Sequence, residues 1–152
     1  MQSFQTRNFG RISYEAQATI EFPCGLPGFE DRRRFLALDF DNSKPLVFLQ
    51  SLEDPALCFV TAPVQAIEPA YVLRMTEEDI RHLGFDGAHQ PRIGADVICL
   101  AVISLEESGT TANLLAPVVI NLRSLKAVQA IAQQPGYSHR FPLAPQEAAV
   151  CS

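Results

Sequence analysis

With 152 residues, 47% hydrophobic and 19% charged, the chain has the size and composition of one folded domain. A chain of that length hides roughly 70% of its unfolded surface and needs no staples. Its formal net charge of −5 repels phosphate backbones, which argues against direct nucleic-acid binding; acidity serves solubility and also suits a basic protein partner.

No apolar run reaches the ~18 residues of a membrane span. The N-terminus, Met1-Gln2-Ser3-Phe4-Gln5-Thr6-Arg7, lacks the apolar core of a secretory signal. The cysteines at 24, 58, 99 and 151 stand far apart with no C-x-x-C pair, whereas metal and redox sites use paired spacing. Cys58 and Cys99 lie in apolar runs and are expected to act as small buried hydrophobes. A cytoplasmic chain with reduced thiols, no membrane contact and no cofactor is the expectation.

Along the chain, residues 3–9 ending at Gly10 are expected to form a hairpin with the strand that follows. There Ile12, Tyr14, Ala16, Ala18, Ile20 and Phe22 alternate with Arg11, Ser13, Glu15, Gln17, Thr19 and Glu21. That period of two predicts a strand over 11–22 with one buried and one wet face. Pro23-Cys24-Gly25-Leu26-Pro27-Gly28 must be a loop, stiffened by prolines and turned by glycines.

Short strands are predicted at 34–40, 45–52, 57–62 and 71–75, separated by Asp41-Asn42-Ser43-Lys44, Glu53-Asp54-Pro55, Pro63 and Pro69. One helix of about two turns follows: Thr76 caps it, Glu77, Glu78 and Asp79 favour its positive end, and Gly84 closes it after Leu83. Residues 85–94 form a loop. The apolar runs 95–105 and 112–122, joined by Glu106-Glu107-Ser108-Gly109-Thr110, read as a central hairpin buried on both faces. Pro117 within the second run demands a bulge or a locally unpaired edge.

Residues 124–133 fit strand or helix equally. The tail 144–152 has little to hold it and is expected to be flexible. Short strands with regular turns therefore predict a mostly β fold over residues 1–143, an antiparallel barrel-like or sandwich domain with one short helix.

Catalytic signatures are sparse. His82, His89 and His139 lack ligand spacing, and no serine sits in a G-x-S-x-G elbow. Gly25-Leu26-Pro27-Gly28 has no G-K-[ST] ending, and Pro27 removes an amide a phosphate would need. The acidic pairs Glu30-Asp31, Glu53-Asp54, Glu77-Glu78 and Glu106-Glu107 fit solvated turns or an acidic docking surface. Arg32-Arg33-Arg34 follows Glu30-Asp31 and can be balanced locally. The chain is expected not to be an enzyme.

Two segments exceed what a core requires. Phe22, Leu26 and Phe29 surround the stiff loop, either as anchors for a partner or folded back as a lid. Asn113-Leu114-Leu115-Ala116-Pro117 is either a strand edge open to a partner or a bulge that bends a barrel.

The segment Ile20-Glu21-Phe22-Pro23-Cys24-Gly25-Leu26-Pro27-Gly28-Phe29-Glu30 resembles the signature loop of the FliW family of flagellar assembly factors. Phe48-Leu49-Gln50-Ser51-Leu52-Glu53-Asp54-Pro55 and Asn113-Leu114-Leu115-Ala116-Pro117-Val118-Val119-Ile120-Asn121 resemble its other strong stretches, in the same order. The resemblance covers residues 6–143, with Cys24 where the family usually carries an acid.

It implies a protein that binds flagellin and the basic RNA-binding translational regulator CsrA. Such a protein relieves CsrA repression of flagellin translation until flagellin accumulates and occupies it. Partner contacts are expected at Leu26, Phe29 and Glu30 and at Asn113 and Leu115, with Glu53, Asp54, Glu106 and Glu107 meeting a basic partner. The alternatives are a β-barrel for a small molecule or peptide with no flagellar role, which would show an internal ligand-sized cavity, and a hydrolase with a histidine beside a Ser, Cys or carboxylate in a cleft.

Overall fold

The computed structural model describes residues 1–133 and 136–143; the tail 144–152 lies outside them. β1 (Gln2–Thr6) and β2 (Gly10–Tyr14) form the expected hairpin. The buried Thr6 hydroxyl shapes its turn, donating to the Gly10 carbonyl at 2.7 Å and accepting from the Phe9 amide at 2.9 Å. Phe9 then fixes the hairpin to the body, its ring 5.6 Å from Phe40 and 5.3 Å from Phe48.

The unbroken strand expected over 11–22 does not form. β2 stops at Tyr14, a 3-10 turn occupies Ala16–Ala18, and β3 is only Ile20–Glu21. Ala16 and Ala18 keep the alternation alive in sequence but offer too little apolar area to hold a strand, and both are exposed.

β4 (Arg34–Leu38), β5 (Val47–Ser51), β6 (Cys58–Pro63), β7 (Val97–Glu106) and β8 (Gly109–Asn121) continue the sheet antiparallel, each pairing with the next. The inner half of β8 pairs with β9 (Ala127–Gln129), which resolves the ambiguity over 124–133. Its outer half pairs with β10 (Phe141–Pro142). The sheet nearly closes on itself, because Glu21 bridges Lys126 and its amide donates to the Leu125 carbonyl at 3.0 Å.

The apolar runs of β7 and β8 have a double purpose. Leu100, Val118 and Ile120 fill the barrel interior with Phe22, Phe35 and Leu49. Val97, Cys99 and Val119 face outward into a second core, covered by residues 64–83. Burial on both faces holds only for the inner half, since Ser104, Leu105 and Glu106 run into solvent as an exposed arm.

In the covering segment, α2 (Glu77–His82) is capped as expected, with the Asp79 amide donating to Thr76 Oγ1 at 3.1 Å. A one-turn helix, α1 (Val64–Ile67), was not foreseen; four residues are too few to show a period of 3.6. The strand expected at 71–75 is extended and alternates correctly, Tyr71, Leu73 and Met75 being buried, yet it joins no ladder. Side chains satisfy much of its backbone instead: Tyr137 Oη accepts from the Val72 amide at 2.9 Å, and Gln90 bonds both the Met75 amide and carbonyl, while the Arg74 carbonyl accepts from the Gln133 amide at 2.9 Å. Burial creates the period of two, whatever partner takes the backbone.

Candidate functional site

The loop after β3 is a built structure. Gly25 sits at φ +69°, and a Cβ there would lie 2.7 Å from Glu30 Cα and 2.7 Å from its carbonyl oxygen, so the chain can cross itself only at a glycine. Leu26, 4% exposed, drops into the barrel core. Phe29 stays 36% exposed and stands edge-on to Phe59, centroids 5.5 Å apart at 82°. The loop is thus both lid and presenting platform: Leu26 seals, Phe29 is shown to solvent.

Polar staples hold its base. Arg33 donates to the Pro23 carbonyl at 2.6 Å and to the Glu30 carbonyl at 3.1 Å. Glu53 reaches across from the β5–β6 turn and accepts from the Arg33 and Arg34 amides at 2.7 and 3.0 Å. The Glu53 carboxylate thus stays in a solvated turn, as one expectation for it has it, but is committed to the loop's own amides. Burial pulls its pKa up, but the two amide hydrogen bonds and the Arg34 guanidinium outweigh burial and hold it below the usual glutamate value.

A carboxylate with a lowered folded pKa stabilises the fold above its unfolded pKa and loses that contribution as pH falls through the folded one. Glu53→Gln is therefore expected to cost on the order of 1 kcal/mol at neutral pH, with the gap from the unmodified chain closing below about pH 4. Urea unfolding at pH 7 and at pH 3 checks this; a gap of equal size at both contradicts it.

Asp54 also serves its own turn, with Oδ1 accepting from the Ala56 amide at 3.0 Å and Oδ2 lying 3.5 Å from the Arg32 guanidinium. Arg32 pairs with the neighbouring Asp31 at 2.6 Å, so the arginine run is partly neutralised on the spot.

Between the loop and the β7–β8 arm lies a cleft of about 400 Å³. Leu26, Phe29, Phe59 and Val102 give it apolar surface; Ser104, Asn113 and Gln129 add polar groups, and Glu106 pairs with Arg140 beside it. Four expected contact residues, Leu26, Phe29, Glu106 and Asn113, thus line one feature. Glu30, Glu53, Asp54, Glu107 and Leu115 do not line it. Glu30 is exposed on the loop, accepting from the Gly28 amide at 3.0 Å, Glu107 occupies the tip of the arm, and Leu115 is half-buried in the bulge. Sequence reasoning missed Phe59, Val102, Ser104, Gln129 and Arg140 as cleft residues; the alternation of Val102, Ser104 and Glu106 was the available signal.

Pro117 makes a bulge. Leu100 faces Val118 while Val102 faces Asn113, so residues 114–117 stand opposite Ala101 alone. Asn113 Oδ1 accepts from the Leu115 and Ala116 amides at 3.1 and 2.9 Å. The Leu114 carbonyl accepts from Tyr71 Oη at 2.7 Å, and the Leu115 and Pro117 carbonyls accept from the Ala132 and Ala130 amides. This segment's backbone is already saturated and offers no free edge for an added strand.

No group of acids, histidines and cysteines able to hold a metal occurs among the described residues. Burial pushes the Cys58 and Cys99 thiols up to about 11 and about 12, which keeps them protonated and inert. The fold does bring the exposed Cys24 thiol within 3.7 Å of His82 Nδ1, a meeting the sequence did not suggest. That pair lies on the surface and outside the cleft. No helix of the described residues is long and apolar enough to cross a membrane.

Fold and cleft together define a small, nearly closed antiparallel β-barrel domain whose open end is covered by a stapled loop. The model of the FliW protein family matches residues 3–143. The chain is 34% identical to the flagellar assembly factor FliW of Syntrophomonas wolfei over 88% of its own length and 83% of that protein. It is 31% identical to that of Heliobacterium modesticaldum over 95% and 92%. A crystal structure of the flagellar assembly factor FliW superposes with a TM-score of 0.81 at 27% identity, covering 96% of this chain and 99% of that one. The chain belongs to the FliW family of flagellar assembly factors, which are not enzymes.

Proposed function

We propose that this flagellar assembly factor works in the cytoplasm by binding two proteins, flagellin and CsrA, and that it relieves CsrA repression of flagellin translation whenever flagellin leaves it free. The observation that carries the proposal is the family match over residues 3–143. The exposed Phe29 on a rigid loop supports it, because a stiff apolar anchor loses little entropy on binding. The net charge of −5 supports the regulator half, since an acidic surface steers a basic protein.

In this reading Phe29, Glu30, Asn113 and Leu115 meet a partner, with Leu26 holding the loop from below. Glu53, Asp54, Glu106 and Glu107 supply the negative potential. The alternative, a small-molecule barrel, has to use the surface cleft, since Phe22, Phe35 and Leu49 pack the barrel interior.

The test is a cell-free translation reaction programmed with a flagellin messenger and repressed by CsrA. Adding the chain restores synthesis, and adding purified flagellin with it returns repression; unaltered repression in the presence of the chain contradicts the proposal. The double variant Glu106→Lys, Glu107→Lys is expected to weaken CsrA binding roughly tenfold at low salt and much less at high salt. Unchanged affinity at low salt removes the arm from the account.

A further inference from the structure

The ladder between β6 and β7 stops early. Pro63, Ala62 and Thr61 pair with Leu100, Ala101 and Val102, and no residue pair continues the ladder beyond Thr61 and Val102, which leaves Cys58 and Phe59 on one side and residues 104–106 on the other without a partner across the gap. On its other side the arm is covered: β10 pairs with Ala112 and Thr111, and the Leu143 amide donates to the Thr110 carbonyl at 3.0 Å. One edge of the arm is therefore closed and the other bare.

The register says which groups are bare. Glu106 and Gly109 flank a two-residue turn and pair directly, so Glu106, Ser104 and Val102 spend their backbone groups on β8. Pro63 has no amide to give, which makes Ala62 and Ala101 the mutually bonded pair with β6. Alternation then aims the Ile103 carbonyl and both backbone groups of Leu105 into the gap. Nothing in residues 103–106 blunts this edge as lysine or proline would, and Leu105 is 83% exposed.

We infer that this bare edge of β7 takes an extended segment of a basic partner protein by strand addition. An added strand sends every second side chain toward the cleft, where the one opposite Ser104 meets the apolar walls of Phe29, Phe59 and Val102. Toward the tip a cation is favoured. Glu107 makes no ion pair with a described residue, and Glu106 offers a second oxygen beside the one held by Arg140. The segment is thus extended, with an apolar and a cationic side chain two positions apart on the same face. A second copy of this chain fits poorly, since its residues 103–107 bring no cation to the acidic tip and its net charge is also −5. The assignment rests on the reading that CsrA, a basic protein, is a partner.

The experiment uses the full chain, purified CsrA and purified flagellin. Leu105→Pro removes the bare amide without touching a bond to β8, while Leu105→Ala removes only the side chain. With melting unchanged in both, calorimetry is expected to show affinity for CsrA falling roughly tenfold in the proline variant and by less than about threefold in the alanine variant. Amide exchange on the unmodified chain is expected to slow at Leu105 in the CsrA complex, which decides the matter even where the proline variant fails to fold.

Equal losses in both variants, or a Leu105 amide that exchanges equally fast in the complex, overturn strand addition while leaving CsrA binding intact. Protection of Leu105 that grows with the concentration of the chain alone overturns it in favour of self-pairing. Absence of binding to CsrA and flagellin alike overturns the proposed function, and this assignment falls with it.

Discussion

Gly25→Ala is expected to destabilise the fold by roughly 2–4 kcal/mol and to displace the loop that carries Phe29. A left-handed conformation at φ +69° costs an L-residue about 1 kcal/mol. The new methyl group would also lie 2.7 Å from the backbone of Glu30, which cannot swing away like a side chain. Movement there pulls on the Arg33 bonds to Pro23 and Glu30 and lifts Leu26 from the barrel end.

Gly28→Ala is the internal control. Gly28 has φ +84° but nothing within 4 Å of an added Cβ, so it bears only the conformational cost, about 1 kcal/mol. Urea unfolding of the two variants separates close approach from backbone preference. Equal destabilisation contradicts the crossing at Glu30.

Phe22→Ala is expected to lose about 3–5 kcal/mol, a large part of the 5–15 kcal/mol that holds an ordinary domain together. Phe22 is fully buried and packs edge-on against Phe35, centroids 5.3 Å apart at 76°. Its backbone also ties the two ends of the loop, the Phe22 amide donating to the Arg33 carbonyl at 2.8 Å and its carbonyl accepting from Gly25 at 2.9 Å. The cavity therefore opens directly beneath the site. Thermal melting is expected to drop on the order of 10 °C, and Phe22→Leu, which keeps most of the volume, by far less. A melting point within a degree or two of the unmodified chain contradicts the assignment of Phe22 to the core.

Local chemistry was legible wherever one residue type settles a backbone question. Thr76 caps its helix, Pro117 forces a bulge, and the loop at 23–28 is stiff, all from composition over a few positions. Alternation was a weaker guide, because it reports burial and not pairing: it held through Ala16 and Ala18, where no strand exists, and through Tyr71, Leu73 and Met75, where an extended segment packs without a ladder.

The site was half legible. Leu26, Phe29, Glu106 and Asn113 do line one cleft, yet Leu26 proves to be its seal. Glu53 binds the loop's own amides, a pairing across 20 residues that no local pattern encodes. The gap between β6 and β7 was illegible for the same reason, since it depends on where a register ends.

Titration calorimetry of the full chain with purified CsrA, first alone and then after saturation with flagellin, tests whether the two partners exclude each other. Binding is expected in the first titration and a marked loss of affinity in the second. CsrA binding that flagellin leaves unchanged would contradict the partner switch, and no binding to either would contradict the function as a whole.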